Sequence, residues 1–246
     1  MPAATYLEAV RQVLDHLERT QQPAVEQAAD LVIHALRHSG AVFCSDIGHG
    51  NHQDFLNRAC GLAAVQHFTS SFTVQDNVPE ALRDRPRAEA VERDLEAVRL
   101  AVRSSNLRPG DVLLVGSVSG RNRAPIELAL ACRDAGVKVV AFTSMDYTAR
   151  VESAHPSGKK LCDVADVVID HGAPFGDAAV DVPGVAITVL PVSGVGAIVA
   201  GWMVWERVLA RMAAEGDPPT VFMSVNREGG MDYYRKAVET YNRRGY

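Results

Sequence analysis

The chain has 246 residues, 47% of them hydrophobic, and a formal charge of −5. That length holds one large α/β domain or two small ones, the apolar share is ordinary for a folded globule, and basic residues interspersed with acidic ones form no stripe for nucleic acid. The four cysteines, Cys44, Cys60, Cys132 and Cys162, are widely spaced without a Cys-x-x-Cys pair. This argues against a disulfide frame or a zinc site, and for thiols in a reducing compartment.

No apolar run precedes a cleavage site and Glu8 and Asp15 come early, so a cytoplasmic protein is expected. Tyr6, Val10, Val13, Leu14 and Leu17 recur at helical spacing over residues 4 to 21. Pro23 restarts a second helix with Ala24, Ala28, Leu31, Val32 and Leu36. This pair, about residues 3–38, is expected to pack on the rest of the chain or on a partner subunit. Ala41–Cys44 reads as the first strand and Ser45–Asn51 as its exit loop, with a helix from about His52 to Ala64. Phe72–Val74 is a further short strand candidate. Pro79 to Pro86 is polar and broken. A long helix is expected from about Ala88 to Ser104, with Val91, Leu95, Val98 and Val102 on one side and Arg87, Arg93 and Arg103 on the solvated one.

Asp111–Val115 is a short apolar run introduced by Arg108–Pro109–Gly110 and reads as a buried strand. The small, hydroxyl-rich Gly116–Ser117–Val118–Ser119–Gly120–Arg121–Asn122 follows, and a helix begins near Ala124 with Pro125 in its first turn. Strand, small polar loop and helix start make an anion site: glycine lets backbone approach, hydroxyls donate, and first-turn N–H groups have no internal partner. Arg121 adds a cationic fork suited to phosphate or carboxylate. The plain alternative is a turn into a crossover helix. No Gly-Lys-Ser/Thr closes the loop and no Gly-x-Gly-x-x-Gly fingerprint is present; no cofactor is expected.

Val137–Phe142 reads as the next parallel strand, ended by Thr143–Ser144, and Asp166–Asp170 and Ala186–Leu190 as later ones. Val195 to Met212 is an apolar helix. Gly194 to Val204 is too short for a membrane span and is closed by Glu206 and Arg207. Pro218–Phe222 reads as extended and Tyr233–Tyr241 as a terminal helix. Apolar strands alternating with helical crossovers predict a doubly wound parallel α/β sheet in a single domain. Residues 45–54, 116–122, 143–145 and 191–194 then meet around one crevice at the strands' carboxyl ends.

Within that crevice, His49 and His52 lie near Asp46 and Asp54. Asp46, His49 and His52 fit a metal site, although the spacing is not a zinc signature. His49 and Asp54 fit general acid–base work instead, and the plain alternative is a solvated helix start. Glu127 fits a surface or interface carboxylate, or a group orienting Arg121 or the ligand. Asp170–Ala178 is polar and Gly-rich after a buried strand; it covers a site or meets a neighbouring subunit, with His171 touching substrate in the first case. Ser193 is either an N-cap or a second ligand hydroxyl. Trp202 and Trp205 fit core or interface packing.

Gly116–Ser117–Val118–Ser119–Gly120–Arg121–Asn122–Arg123–Ala124–Pro125–Ile126–Glu127 resembles the SIS (sugar isomerase) domain family, in its stand-alone phosphosugar-binding branch. Ser117, Ser119 and Gly120 match the family's strand, Ser-x-Ser-Gly, helix pattern. Further similarity lies at Arg58–Leu62, Val137–Ser144, Ser157–Leu161, Pro174–Ala179 and Gly229–Gly230. The resemblance implies a five-stranded parallel sheet flanked by helices, a homodimer or homotetramer, and a phosphosugar ligand; charge and hydropathy, as above, give no nucleic-acid or membrane partner. It also implies that Ser117, Ser119, Gly120, Arg121 and Asn122 hold phosphate, with Ser45, Thr143, Ser144 and Ser193 completing the pocket. Asp54 stands where relatives carry a catalytic Glu, which implies that it abstracts a proton while His49 or His171 shuttles one. The first loop departs from the family's Gly-Ser/Thr-Gly-His-Ser-His run, reading Cys44–Ser45–Asp46–Ile47–Gly48–His49 instead. Asp46 there would repel phosphate if it faced the pocket.

Overall fold

A strand covered on both faces reads as a continuous apolar run, because each alternate side chain meets its own core. In the computed structural model, which describes residues 4–49, 52–86 and 92–246, the strands are β1 (Val42–Ser45), β2 (Val65–Phe68), β3 (Val112–Gly116), β4 (Lys138–Thr143) and β5 (Val167–Asp170). They pair in parallel in the order β2-β1-β3-β4-β5. The helices are α1 (Ala4–Thr20), α2 (Gln22–Arg37), α3 (Arg93–Ser104), α4 (Arg123–Asp134), α5 (Met145–Ala149), α6 (Leu161–Val164), α7 (Ser193–Ala214) and α8 (Gly230–Arg244). Val112, Leu114, Val140, Phe142 and Ile169 face a core built with α1, α2 and α7. Leu113, Val115, Val139 and Ala141 face the opposite core, with α3, α4 and α6. The result is the expected three-layer α/β sandwich, and the N-terminal pair packs on α7.

Three expectations are corrected. The helix over 52–64 is not formed: a single 3-10 turn, His52–Asp54, gives way to turns in which Asn57 and Cys60 adopt positive φ. Cys60 N–H donates to the Phe222 carbonyl and Ala63 N–H to that of Thr220, so this backbone is drawn into pairing with the 220–222 segment. The sheet's edge strand is Val65–Phe68 rather than Phe72–Val74, whose Phe72 and Val74 side chains are exposed. Ala186–Leu190 adds no strand to the sheet; Val189 makes only an isolated antiparallel bridge to Val180. Of the long helix, α3 spans Arg93–Ser104, and residues 87–91, with Arg87 and Val91, lie outside the described residues.

The strand order reverses direction between β1 and β3. Open parallel sheets bind ligands beyond the carboxyl ends of their strands at such a switch point, and the two Ser-bearing loops leave β1 and β3 there.

Candidate functional site

The loop from Ser117 to Asn122 is shaped by where its carbonyls go. Those of Val118, Ser119, Gly120 and Arg121 all have donors on the protein side: Ser144 N–H (2.9 Å), Thr148 Oγ1 (3.1 Å), Leu161 N–H (2.8 Å) and Ala154 N–H (3.0 Å). In a planar trans peptide the N–H points opposite the preceding carbonyl, so tying the carbonyls outward turns the following amides to the other side. Among the described residues, the N–H groups of Ser119, Arg121 and Asn122 have no acceptor. Successive backbone amides turned one way form an anion-binding concavity; here Arg121 and Asn122 are successive, the Gly120 N–H before them donates to the Ser117 carbonyl, and α4 begins at the next residue. Gly120 is required in this turn: its φ is +63°, and a Cβ there would lie 2.8 Å from Thr148 Oγ1.

Ser117 sits at the root of this loop, 1% exposed, and its hydroxyl has no hydrogen-bond partner among the described residues. A buried hydroxyl left unpaired costs about 1–3 kcal/mol. Ser119 is half-buried, and Arg121 and Asn122 are exposed at the rim. Arg121 has no carboxylate partner among the described residues, so its charge is available to a ligand.

The loop from β1 crosses the end of β3. His49 N–H donates to the Gly116 carbonyl at 2.9 Å, an approach possible because Gly48 has φ +98° and no Cβ, which would meet that oxygen at 2.2 Å. Ser45 is buried and its Oγ accepts the Ile47 N–H at 2.9 Å. Beneath lies a cavity of about 20 Å³, lined by Ser45, His49, Phe55, Gly116, Phe142 and Ala197 among others. It has room for about one water. Cys44 also lines it, and burial pushes that thiol up to about 12. A larger groove of about 460 Å³, along α3 beside Ile47 and Phe72, has no ionisable group in its lining.

Other sequence-derived candidates are placed differently. Thr143, Ser144 and Ser193 have hydroxyls committed to the framework: to the Val118 carbonyl, to the Ala173 carbonyl (2.6 Å) and to Asp177 (2.5 Å). Ser144 caps α5; Ser193 is not a cap but the first residue of α7, held with Val192 by the Asp177 carboxylate. Asp46 turns toward the sheet edge, where it accepts the Thr69 hydroxyl at 2.5 Å and lies 3.9 Å from His67. Asp54 stands 3.8 Å from Arg58 and does not line the cavity. No cluster of three or more His, Cys, Asp or Glu suited to a metal occurs among the described residues; residues 50 and 51 and the His52 side chain lie outside them. His171 is 2% exposed, its Nδ1 accepting the Ala173 N–H at 3.3 Å, and burial lowers its pKa to about 4, the neighbouring His49 working in the same direction. It is therefore neutral at pH 7.

Sequence reasoning passed over His155. It is 7% exposed and its Nε2 lies 2.7 Å from Glu127, itself 3% exposed and bonded to Arg99. Burial pushes the Glu127 carboxyl up, but the bonds from Arg99 and His155 outweigh it and hold the pKa below its usual value.

A family model described as the SIS domain matches residues 5–144. A UPF0309 protein of Caldanaerobacter subterraneus subsp. tengcongensis is 33% identical over 244 residues, covering 97% of each chain. Another, of Streptomyces coelicolor, is 31% identical over 246 residues, covering 99% of this chain and 96% of its own. In fold, the chain is similar to a phosphoheptose isomerase of Neisseria gonorrhoeae (TM-score 0.54, 19% identity, 82% of this chain and 94% of that one). It is also similar to one of Francisella tularensis (TM-score 0.54, 15% identity, 83% and 95%). Among the described residues no helix is long and apolar enough to cross a membrane.

Proposed function

The chain belongs to the SIS domain family, and on that premise we propose that its crevice binds a phosphosugar and moves a proton between the adjacent C1 and C2 carbons. This makes it an aldose–ketose sugar-phosphate isomerase or a related amino-sugar phosphate enzyme. The observation that carries the reading is the unpartnered, buried Ser117 hydroxyl at the root of a loop whose Ser119, Arg121 and Asn122 amides have no acceptor. A phosphoryl group supplies acceptors to all of them at once, and exposed Arg121 meets its remaining charge.

In the catalytic step the sugar opens and the Asp54 carboxylate takes the proton next to the carbonyl. His49, exposed on the cavity lining, or His171, neutral and buried behind it, moves a proton on the sugar oxygens. Asp54 reaches this role by leaving its long, half-exposed contact with Arg58. That same contact, off the cavity lining, favours a second reading in which the protein senses a phosphosugar without turning it over. Assembly as a homodimer or homotetramer belongs to the proposal, supported by Leu7 and Leu14, exposed at 52% and 38% on α1.

A thermal-shift panel of hexose, pentose, heptose and amino-sugar phosphates, each against its unphosphorylated sugar, tests the pocket. A ligand at a hundred times its Kd stabilises by about 2.7 kcal/mol, or roughly 5–10 °C for a chain of this size. The effect should vanish in Ser119→Ala. In Asp54→Asn, turnover should fall while the shift persists. A flat panel with folded protein would end the phosphosugar reading, and equal shifts without turnover in any isomerisation assay would select the sensor.

A further inference from the structure

The inward amides of the Ser117–Asn122 loop depend on what holds its carbonyls outside, and the Gly120 and Arg121 bonds both come from the segment 153–161. That segment, Ser153–Ala154–His155–Pro156–Ser157–Gly158–Lys159–Lys160–Leu161, is polar, and residues 156–159 are exposed. Between its ends one side chain is buried: His155. Ser157 N–H lies 3.1 Å from His155 Nδ1, so that nitrogen is the acceptor and carries no proton. Nε2 then carries it and donates to the Glu127 carboxylate at 2.7 Å. Glu127 belongs to α4, the helix that the Ser117–Asn122 loop runs into, and Arg99 of α3 ties its other oxygen. A second tie runs from Lys160 Nζ to the Thr148 carbonyl, and the Thr148 hydroxyl in turn holds Ser119.

We propose that His155 and Glu127 are positioning residues for the anion site. Their buried bond fixes the segment 153–161, which keeps the Gly120 and Arg121 carbonyls outside and so aims the Arg121 and Asn122 amides at a bound phosphoryl group. The ligand half of this rests on the phosphosugar reading; the effect on the free loop does not.

The experiment compares full-length wild type with His155→Ala, His155→Gln and Ser157→Ala. It uses amide hydrogen exchange on the free protein and calorimetric titration with inorganic phosphate. In His155→Ala, exchange at the Ala154 and Leu161 amides, which hold the Arg121 and Gly120 carbonyls, and at the Gly120 amide, which donates to the Ser117 carbonyl, should quicken at least tenfold while β3 and α7 keep wild-type protection, and phosphate should bind at least tenfold more weakly. Glutamine can donate to Glu127 and accept from Ser157, so His155→Gln should stay within about threefold of wild type on both readouts. Folded His155→Ala with wild-type exchange at these three amides overturns the proposal. So does quickening spread evenly over the sheet, or a glutamine variant as impaired as alanine, since either marks a packing role. If His155→Ala does not fold, Ser157→Ala, altered only at an exposed hydroxyl that lies 2.8 Å from Nδ1 and accepts the Lys159 N–H, should show a two- to threefold quickening at the same amides, and none would overturn it. A wild type blind to phosphate, with a loop that still loosens in His155→Ala, supports the positioning role and counts against the phosphosugar reading.

Discussion

The two loops that leave β1 and β3 lie side by side over the same cavity, yet they treat their polar groups in opposite ways. After β1, Ser45 is paired with Ile47, Asp46 with Thr69 and Asp54 with Arg58. After β3, the carbonyls are tied outward while the Ser117 hydroxyl and the Ser119, Arg121 and Asn122 amides stay without acceptors among the described residues. A folded chain gains nothing by burying an unmet donor such as the Ser117 hydroxyl. The proposed ligand would supply to this loop the acceptors that the fold does not. The β1 loop is satisfied internally and places His49 on the cavity lining.

The contrast breaks most severely at Gly120. Valine there adds a Cβ at +63° φ, 2.8 Å from Thr148 Oγ1 and 3.1 Å from Thr143 Oγ1. Backbone strain and the clash should together cost about 3 kcal/mol and remove all stabilisation by phosphosugars. A Gly120→Val protein with a wild-type melting curve and ligand shift would mean that the loop does not hold this conformation.

His171, buried just after β5, is expected to have the next largest effect. Burial lowers its pKa from 6.5 to about 4. Between those values the unfolded chain takes up a proton that the folded one refuses, so the stabilisation is complete above pH 6.5 and is lost as pH falls toward 4. At about 1.4 kcal/mol per pKa unit, the loss is on the order of 2–3 kcal/mol. Urea unfolding of wild type and His171→Gln at pH 7 and pH 4.5 checks it: the variant's decline should be shallower by that amount, and parallel declines would assign the acid limb to carboxylates.

The two serines that open the loops should respond with opposite signs. Ser117→Ala removes an unpaired hydroxyl and should leave the free protein as stable, or up to about 1 kcal/mol more so, while weakening phosphosugar binding. Ser45→Ala removes the acceptor of the Ile47 N–H and should destabilise by about 1 kcal/mol. Chemical denaturation with and without the best ligand separates them. Equal losses in both would mean that Ser117 has a partner within the fold.

The β3 loop was legible because everything it needs is local: an apolar run, a small polar stretch and a helix start within residues 111–132. The β1 loop was not. Arg58–Ala64 carries helix-compatible residues, and what overrides them is pairing with Thr220 and Phe222, far along the chain. The edge strand Val65–Phe68 alternates only weakly, with Gln66 and His67 in its middle. His155 gave no signal because its partner Glu127 is 28 residues away, and a histidine before proline in a polar loop reads as solvated. Strand-end position and the family resemblance placed Thr143, Ser144 and Ser193 at the crevice, and only the structure shows where their hydroxyls donate.

The smallest expected effect is the most pointed test of the comparison. By sequence, Asp46 replaces a glycine of the family pattern and threatens any doubly charged ligand. By structure its carboxylate faces Thr69 and His67 at the sheet edge, with the β1 backbone between it and the amides that follow Ser117. At that orientation, with solvent on one side, its repulsion is screened. Asp46→Asn should therefore change phosphosugar affinity by less than twofold and stability by about 0.5 kcal/mol, the Thr69 hydroxyl finding an amide oxygen in place of a carboxylate. Titrating both proteins at low and at physiological salt decides the point. A tenfold gain for the asparagine variant, shrinking as salt is added, would mean that the carboxylate reaches the crevice, and that the β1 loop opposes the ligand the β3 loop is built to receive.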